Sequence, residues 1–254
     1  MRRTARLLTR AHLDRLGPGS YTHCMRPPAI TIEDRTLARA DIVALQGDDP
    51  VRLVGCALDE TKLSDLDLTG WVFERCSFAR ADFGNAVLEL SRWLNCRGAF
   101  ALFRGANLED AVFRSSDFNN ASFRAATLSS AAFEDCKLTG CDLTDAKSMD
   151  VRFTNTLLVS AKLPEFNFRK DKLVGVDLSS AELVKCDFRE ATFENCSLRE
   201  ANVDQARFQD ADLRGADLGG LSILAQAGRF KGAVVSAAQA ELILSQTGLK
   251  VRAR

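Results

Sequence analysis

The chain has 254 residues, with 34 Lys and Arg against 34 Asp and Glu and a formal net charge of zero. That balance argues against a polycation binding nucleic acid directly and against a hyperacidic tail protein. Hydrophobic residues are 46% of the chain, enough for a core, and no apolar run approaches the roughly 18 residues of a membrane-spanning helix. Phe numbers 16 against 1 Tyr, so aromatic bulk is used without polar handles. Cys numbers 8 against 2 His, so a His-based metal or acid–base site is not expected.

Residues 1–24 carry five Arg and one acid, Asp14, with no apolar stretch of the kind a secretory signal needs. They are expected to be a tail, flexible or non-native. Residues 25–50 contain Pro27 and Pro28, then two five-residue units centred on Leu37 and Ile42. A one-residue slip follows at Gln46 to Pro50, which predicts a partial first coil and a cap.

From Leu53 the chain repeats every five residues, without insertion, to Leu218. Of these 34 positions Leu fills 17 and Phe 13, with Val203 as one more; only Trp93, Gly98 and Ser148 depart. Two residues before, small side chains predominate, 16 times Ala and 7 times Cys, with Ser, Thr and Val taking most of the rest. Period five is neither a helix nor a simple amphipathic strand. One small and one large inward residue per unit suit a short extended segment followed by a turn. Four such segments close a coil of 20 residues, and coils then stack at about 4.8 Å. Residues 51–220 would give about 8.5 coils, a rod on the order of 41 Å long. Aromatic ladders are expected at steps of twenty, through Phe73, Trp93, Phe113, Phe133 and Phe153, and through Phe83, Phe103 and Phe123.

The irregularities carry their own expectations. Cys56, Cys76, Cys96, Cys136 and Cys196 share one inner corner, and Cys141 and Cys186 lie in other columns. Without Cys-x-x-Cys spacing or a His partner they read as free, buried thiols interchangeable with Ala, in a reducing compartment. Trp93 is expected to fill the space left by Gly98. Ser148 and Asp171 predict local bends with side chains bonded to turn backbone, and Pro164 falls at an outward turn position. Leu90, Leu94, Phe100 and Leu102 are apolar at outward positions. They predict either a partner-binding belt or a surface covered by the chain's own N-terminal segment. No phosphate loop, nucleophile elbow or convergent polar set is present, so neither an enzyme nor a cofactor or metal site is expected.

After Gly220, Ser236 to Thr247 predicts a helix, with Ser236 and Gln239 at capping-box spacing and Gly248 as a stop. Its Leu242, Ile243 and Leu244 need cover, because an open coil end must be plugged or paired.

The quintets, such as Ala106-Asn107-Leu108-Glu109-Asp110 and Ala211-Asp212-Leu213-Arg214-Gly215, resemble the pentapeptide repeat family pattern Ala-(Asp/Asn)-Leu-X-X over residues 51–220. The resemblance implies an all-β solenoid, a right-handed quadrilateral β-helix, here with a short C-terminal α-helix. The stretch Gly232-Ala233-Val234-Val235, then Gln239-Ala240, then Gly248-Leu249-Lys250-Val251 resembles the tail of the Qnr and MfpA type members. That resemblance implies a homodimer through residues 221–254, using Leu242, Ile243, Leu244, Leu249 and Val251. It also implies binding to a type II topoisomerase, gyrase or topoisomerase IV, with protection from quinolones through a DNA-like surface. Such a protein would be cytoplasmic, with no membrane contact. The register-breaking loops of the Qnr members are missing from residues 53–218, as in MfpA-like members.

Charge by segment bears on that reading. Residues 1–50 net +2, residues 51–220 net −6 and residues 221–254 net +4. The most acidic face runs through Leu68, Leu88, Leu108 and Leu128, with Asp67, Glu89, Glu109 and Asp110 early and Arg169 and Lys170 later. The competing reading is a pentapeptide scaffold or effector that binds an unrelated protein through the apolar belt.

Overall fold

The computed structural model describes residues 28–221 and 223–249. Inward side chains stack on residues twenty positions later, and the backbone follows them into a parallel β-helix of about nine turns. Strands β1 (Ile30–Glu33), β2 (Val51–Val54), β3 (Val72–Glu74), β4 (Arg92–Leu94), β5 (Val112–Arg114), β6 (Ala132–Glu134), β7 (Arg152–Thr154), β8 (Lys172–Val174) and β9 (Thr192–Glu194) form one sheet in sequence order. Phe73 pairs with Trp93, Trp93 with Phe113 and Phe113 with Phe133. The other three faces are held by single parallel bridges at the same twenty-residue step, such as Asp82 to Leu102 and Val87 to Asn107. A short pair, β10 (Cys196–Ser197) and β11 (Ala216–Asp217), closes the last coils.

Both aromatic ladders form. In the first, ring centroids are 4.3, 5.3, 4.8 and 5.3 Å apart from Phe73 to Phe153. In the second, Phe83, Phe103 and Phe123 stack at 4.8 Å with nearly parallel rings.

The corners explain the small column. In most coils three are closed by a backbone bond, for example Ala81 N–H to the Phe78 carbonyl at 3.0 Å, with the third residue left-handed (Arg80, φ 56). This is type II turn geometry. The fourth corner, after β3 and its equivalents, has the same positive φ at Arg75 without that bond. A side chain from the next coil substitutes. Ser116 Oγ accepts from the Cys96 N–H at 3.0 Å and donates to the Trp93 carbonyl at 3.1 Å. Thr156 donates to the Phe133 carbonyl at 3.0 Å, and the thiols of Cys76, Cys96 and Cys196 reach the equivalent carbonyls at 3.3–3.5 Å. In this column Cys is therefore a weak donor alongside Ser and Thr, and Ala is not its equal. Burial pushes the thiols of Cys136, Cys141 and Cys186 up to about 12, which keeps them protonated and unreactive.

Gly98 is filled differently from expectation. A β-carbon there would lie 2.2 Å from Cε1 of Phe118, so the ring from the next coil occupies the space. Trp93 stands edge-on to Phe118 at 5.7 Å and takes its own ladder position. Its indole N–H donates to buried Ser91 Oγ at 2.9 Å, which accounts for a Ser in the small column.

A second exchange interrupts the ladder. Ser148 stands where its column otherwise holds Leu or Phe, and Phe166 stands in an Ala column, fully buried. Between those coils the bridge from Lys147 to Asn167 is missing, and β7 meets β8 only at Thr154 and Val174. Asp171 is exposed and makes no bond to turn backbone; the bend it predicted is instead a gap in one face. Partial desolvation of its carboxyl group, then the charge of Asp150, raises its pKa. Amide hydrogen exchange is expected to be faster at Ser148, Asn167 and Lys172 than at Leu128, Lys147 and Arg152 one coil earlier, whose amides do donate. Equal protection by NMR would count against an open face.

Side chains cap both ends. Helix α1 (Arg39–Leu45) replaces the second half of the first coil, with Ile42 buried and Asp41 accepting from the Ala38 N–H at 2.8 Å. The Arg39 guanidinium donates to the Lys62 and Ser64 carbonyls, and Gln46 to that of Asp67, in place of the amides a full coil would supply. A 3-10 helix (Leu224–Phe230) and helix α2 (Ala237–Ser245) close the other end. The Ser236–Gln239 capping box forms, and Gln239 Nε2 also donates to the Leu213 and Ala216 carbonyls at 2.7 Å.

Candidate interaction surfaces

The rod places Asp67, Glu89, Glu109 and Asp110 on one face in three successive coils, because Asp67, Val87 and Asn107 are bridged in register. Asp67 accepts from the Thr69 N–H at 3.0 Å, fixing a tight turn. Glu89 accepts from the Asn107 amide. Burial, then the neighbouring charge of Glu109, raises the pKa of Asp110 against the pull of Arg152. Asp67, Glu89 and Glu109 form no ion pair with a described residue. Further along the same face two acids are neutralised. Asp187, buried, binds Arg189 at 2.6 Å and Arg207 at 2.9 Å, and Glu190 binds Arg169 at 2.8 Å. The Arg189 guanidinium holds Asp187 below the usual carboxylate range.

The four apolar residues do not make one belt. Leu90 and Phe100 occupy the left-handed positions of opposite corners, at φ 59 and φ 61, with the rod between them. Leu94 is half-buried. Leu90 borders a cleft of about 430 Å³ whose other wall is the loop from Gln46 to Pro50, so among the described residues the N-terminal region approaches it without covering it. No described residue of that region lines the corner at Phe100 and Leu102.

At the C-terminal end Leu242, Leu244 and Leu249 are exposed. Ile243 is not: it packs into the core cluster and seats α2 on the last coil, so it cannot face a partner. Val251 lies outside the described residues. Val234, part of the tail motif, and Leu224 add exposed apolar surface to this end; Leu224 has no signal in the sequence because it falls outside the five-residue register. Among the described residues no three metal-binding side chains converge, and no helix is long and apolar enough to cross a membrane.

A search of curated protein sequences finds no match. Among solved structures the chain is similar to full-length QnrB1, titled a plasmid-mediated fluoroquinolone resistance protein, with TM-score 0.69, 23% identity, and coverage of 78% of this chain and 100% of that one. A trypsin-treated QnrB1 variant aligns with TM-score 0.69 and 25% identity over 79% of this chain and 100% of that one. The family described as pentapeptide repeat region matches residues 91–163 and 146–223, and that described as pentapeptide repeats matches residues 52–89. Together with the strict register of inward Leu and Phe, those matches span nearly all the coils, and the chain belongs to the pentapeptide repeat family.

Proposed function

We propose that the protein is a non-enzymatic, Qnr/MfpA-like binding protein that engages a type II topoisomerase, gyrase or topoisomerase IV, and protects it from quinolone-type inhibitors. The observation that carries this is the acid strip, in which Asp67, Glu89 and Glu109 have no ion-pair partner among the described residues. Four carboxylates over three coils amount to roughly one charge per 3.6 Å of axis, close to the 3.4 Å per charge of a single DNA strand. Charge over the whole coil region is far sparser, so the DNA-like surface is this strip and not the rod. Likeness in fold to QnrB1 supports the same reading. The target would place the protein in the cytoplasm.

Purified gyrase should lose supercoiling activity, or regain it in the presence of a fluoroquinolone, when the protein is added. Glu89→Lys with Glu109→Lys should weaken that effect by about tenfold or more, reversing the local charge that steers association. A wild-type protein without effect at micromolar concentration would end the topoisomerase reading.

The same reading includes a homodimer through the exposed Leu242, Leu244 and Leu249. Replacing Leu242 and Leu249 with Arg is expected to give a folded monomer in light scattering. A dimer unchanged by both substitutions would refute this use of the tail.

A further inference from the structure

The corner at Phe100 holds a residue that its place in the fold does not call for. In that corner column the left-handed position is otherwise Glu60, Arg80, Asn120, Ser160, Ser180, Glu200 or Gly. Every residue with a β-carbon meets the following carbonyl in this conformation, and short polar side chains such as Asn tolerate it best. Phe100 accepts that strain with half its surface, 50%, in solvent, so its ring contributes little to the core. Backbone strain without a packing return points to function.

The surroundings define a chemistry. Leu102, two residues on, is 44% exposed. The Arg80 guanidinium lies 5.7 Å from the Phe100 ring centroid. Arg97 and Arg104, exposed on the two faces that meet at this corner, pair with no described acid. Two acids adjoin it, Asp82 bridged to Leu102 and Asp117 bridged to Arg97, and their carboxylates accept from the backbone N–H of Gly84 at 2.9 Å and of Asn119 at 3.2 Å. Arg97 also borders a cleft of about 500 Å³ at the open corner, which Arg75 and Lys137 line together with Asp117 and Asp135.

We propose that this basic, apolar-centred corner is a second docking site, for an acidic peptide segment carrying a large apolar residue. The apolar residue would pack on Phe100 and Leu102 while its flanking carboxylates meet Arg80, Arg97 and Arg104. A long polyanion such as duplex DNA fits less well, because the coils as a whole net −6 and would repel it along the rest of its length. The site stands on the opposite side of the rod from Leu90 and does not depend on the topoisomerase reading.

The test is fluorescence anisotropy of the full chain with short synthetic peptides in which several Asp and Glu surround one Phe, Leu or Trp. Matched sets carry Lys in place of the acids or Ser in place of the apolar residue. Saturable binding is expected for the acidic apolar set alone, weakened about tenfold or more by Arg97→Glu with Arg104→Glu. Phe100→Asn should abolish binding while raising Tm by about 2–4 °C, since Asn tolerates the left-handed conformation. A purely structural Phe100 would lose stability on that change instead. Glu89→Lys with Glu109→Lys should leave peptide binding intact, which separates this site from the acid strip. Equal binding of the lysine set, preference for duplex DNA, or undiminished binding by Phe100→Asn would overturn the proposal.

Discussion

Trp93→Ala is expected to lower the unfolding free energy by roughly 3–5 kcal/mol, the largest loss from any single truncation in this fold. Trp93 is fully buried, and its ring lies within 6 Å of the rings of Phe73, Phe78, Phe83, Phe103, Phe113 and Phe118. These come from its own coil and the two that flank it, so one substitution opens a cavity spanning three coils. The change also removes the indole N–H that donates to Ser91 Oγ, leaving a buried hydroxyl without that partner. Stacked rings above and below cannot collapse into the void, because their backbones are held by the β4 pairings on both sides. Phe230→Ala is the control. Phe230 stacks on Phe208 at 4.7 Å but is only half-buried at the rod end, and should cost markedly less. Urea denaturation of both variants checks this, and equal losses would show that the mid-rod cluster is not the stability centre.

Gly98→Leu restores the residue that the repeat most often uses at this position, and it is expected to destabilise by at least about 1–3 kcal/mol, the range for overpacked cores. A β-carbon at Gly98 would stand 2.2 and 2.5 Å from two carbons of the Phe118 ring. That ring is fully buried and has no solvent into which to swing. The strain belongs to the pair, so Phe118→Leu introduced together with Gly98→Leu should recover much of the loss. A double-mutant cycle measures the coupling. Additive effects of the two substitutions would mean that Phe118 does not fill the glycine's place.

Both predictions turn on a distance that the chain order hides. Stacking, ladders and C-terminal cap were legible because the inward positions keep one period from Leu53 to Leu218, and because Ser236 and Gln239 have the spacing of a reciprocal cap. The filler of Gly98 was sought in Trp93, five residues back. In a coil of twenty the tightest neighbour is Phe118, one coil away. The exchange between Ser148 and Phe166 is harder to see for the same reason, since it joins a large column to a small one in the next coil. Leu37 and Ile42 keep the spacing of five and so predict two more quintets; the Asp41 carboxylate on the Ala38 N–H instead starts helix α1 there. Acidic residues in one column were correctly gathered onto one face. The apolar belt was not a single surface, because left-handed corners ten residues apart point in opposite directions.

The capped ends give the rod a property that its core cannot. Every interior coil offers its successor the same template, so nothing inside the stack says where to stop. Arg39 and Gln46 at one end, and Gln239 with α2 at the other, spend side chains on the groups that would recruit another coil. Length is therefore written in the termini, and the stack between them behaves as a ruler whose graduations are twenty residues. A whole coil gained or lost would move the acid strip relative to the tail by one fixed increment of about 4.8 Å while leaving both ends intact. In such a molecule the spacing between two recognition surfaces can change by discrete steps without either surface being redesigned.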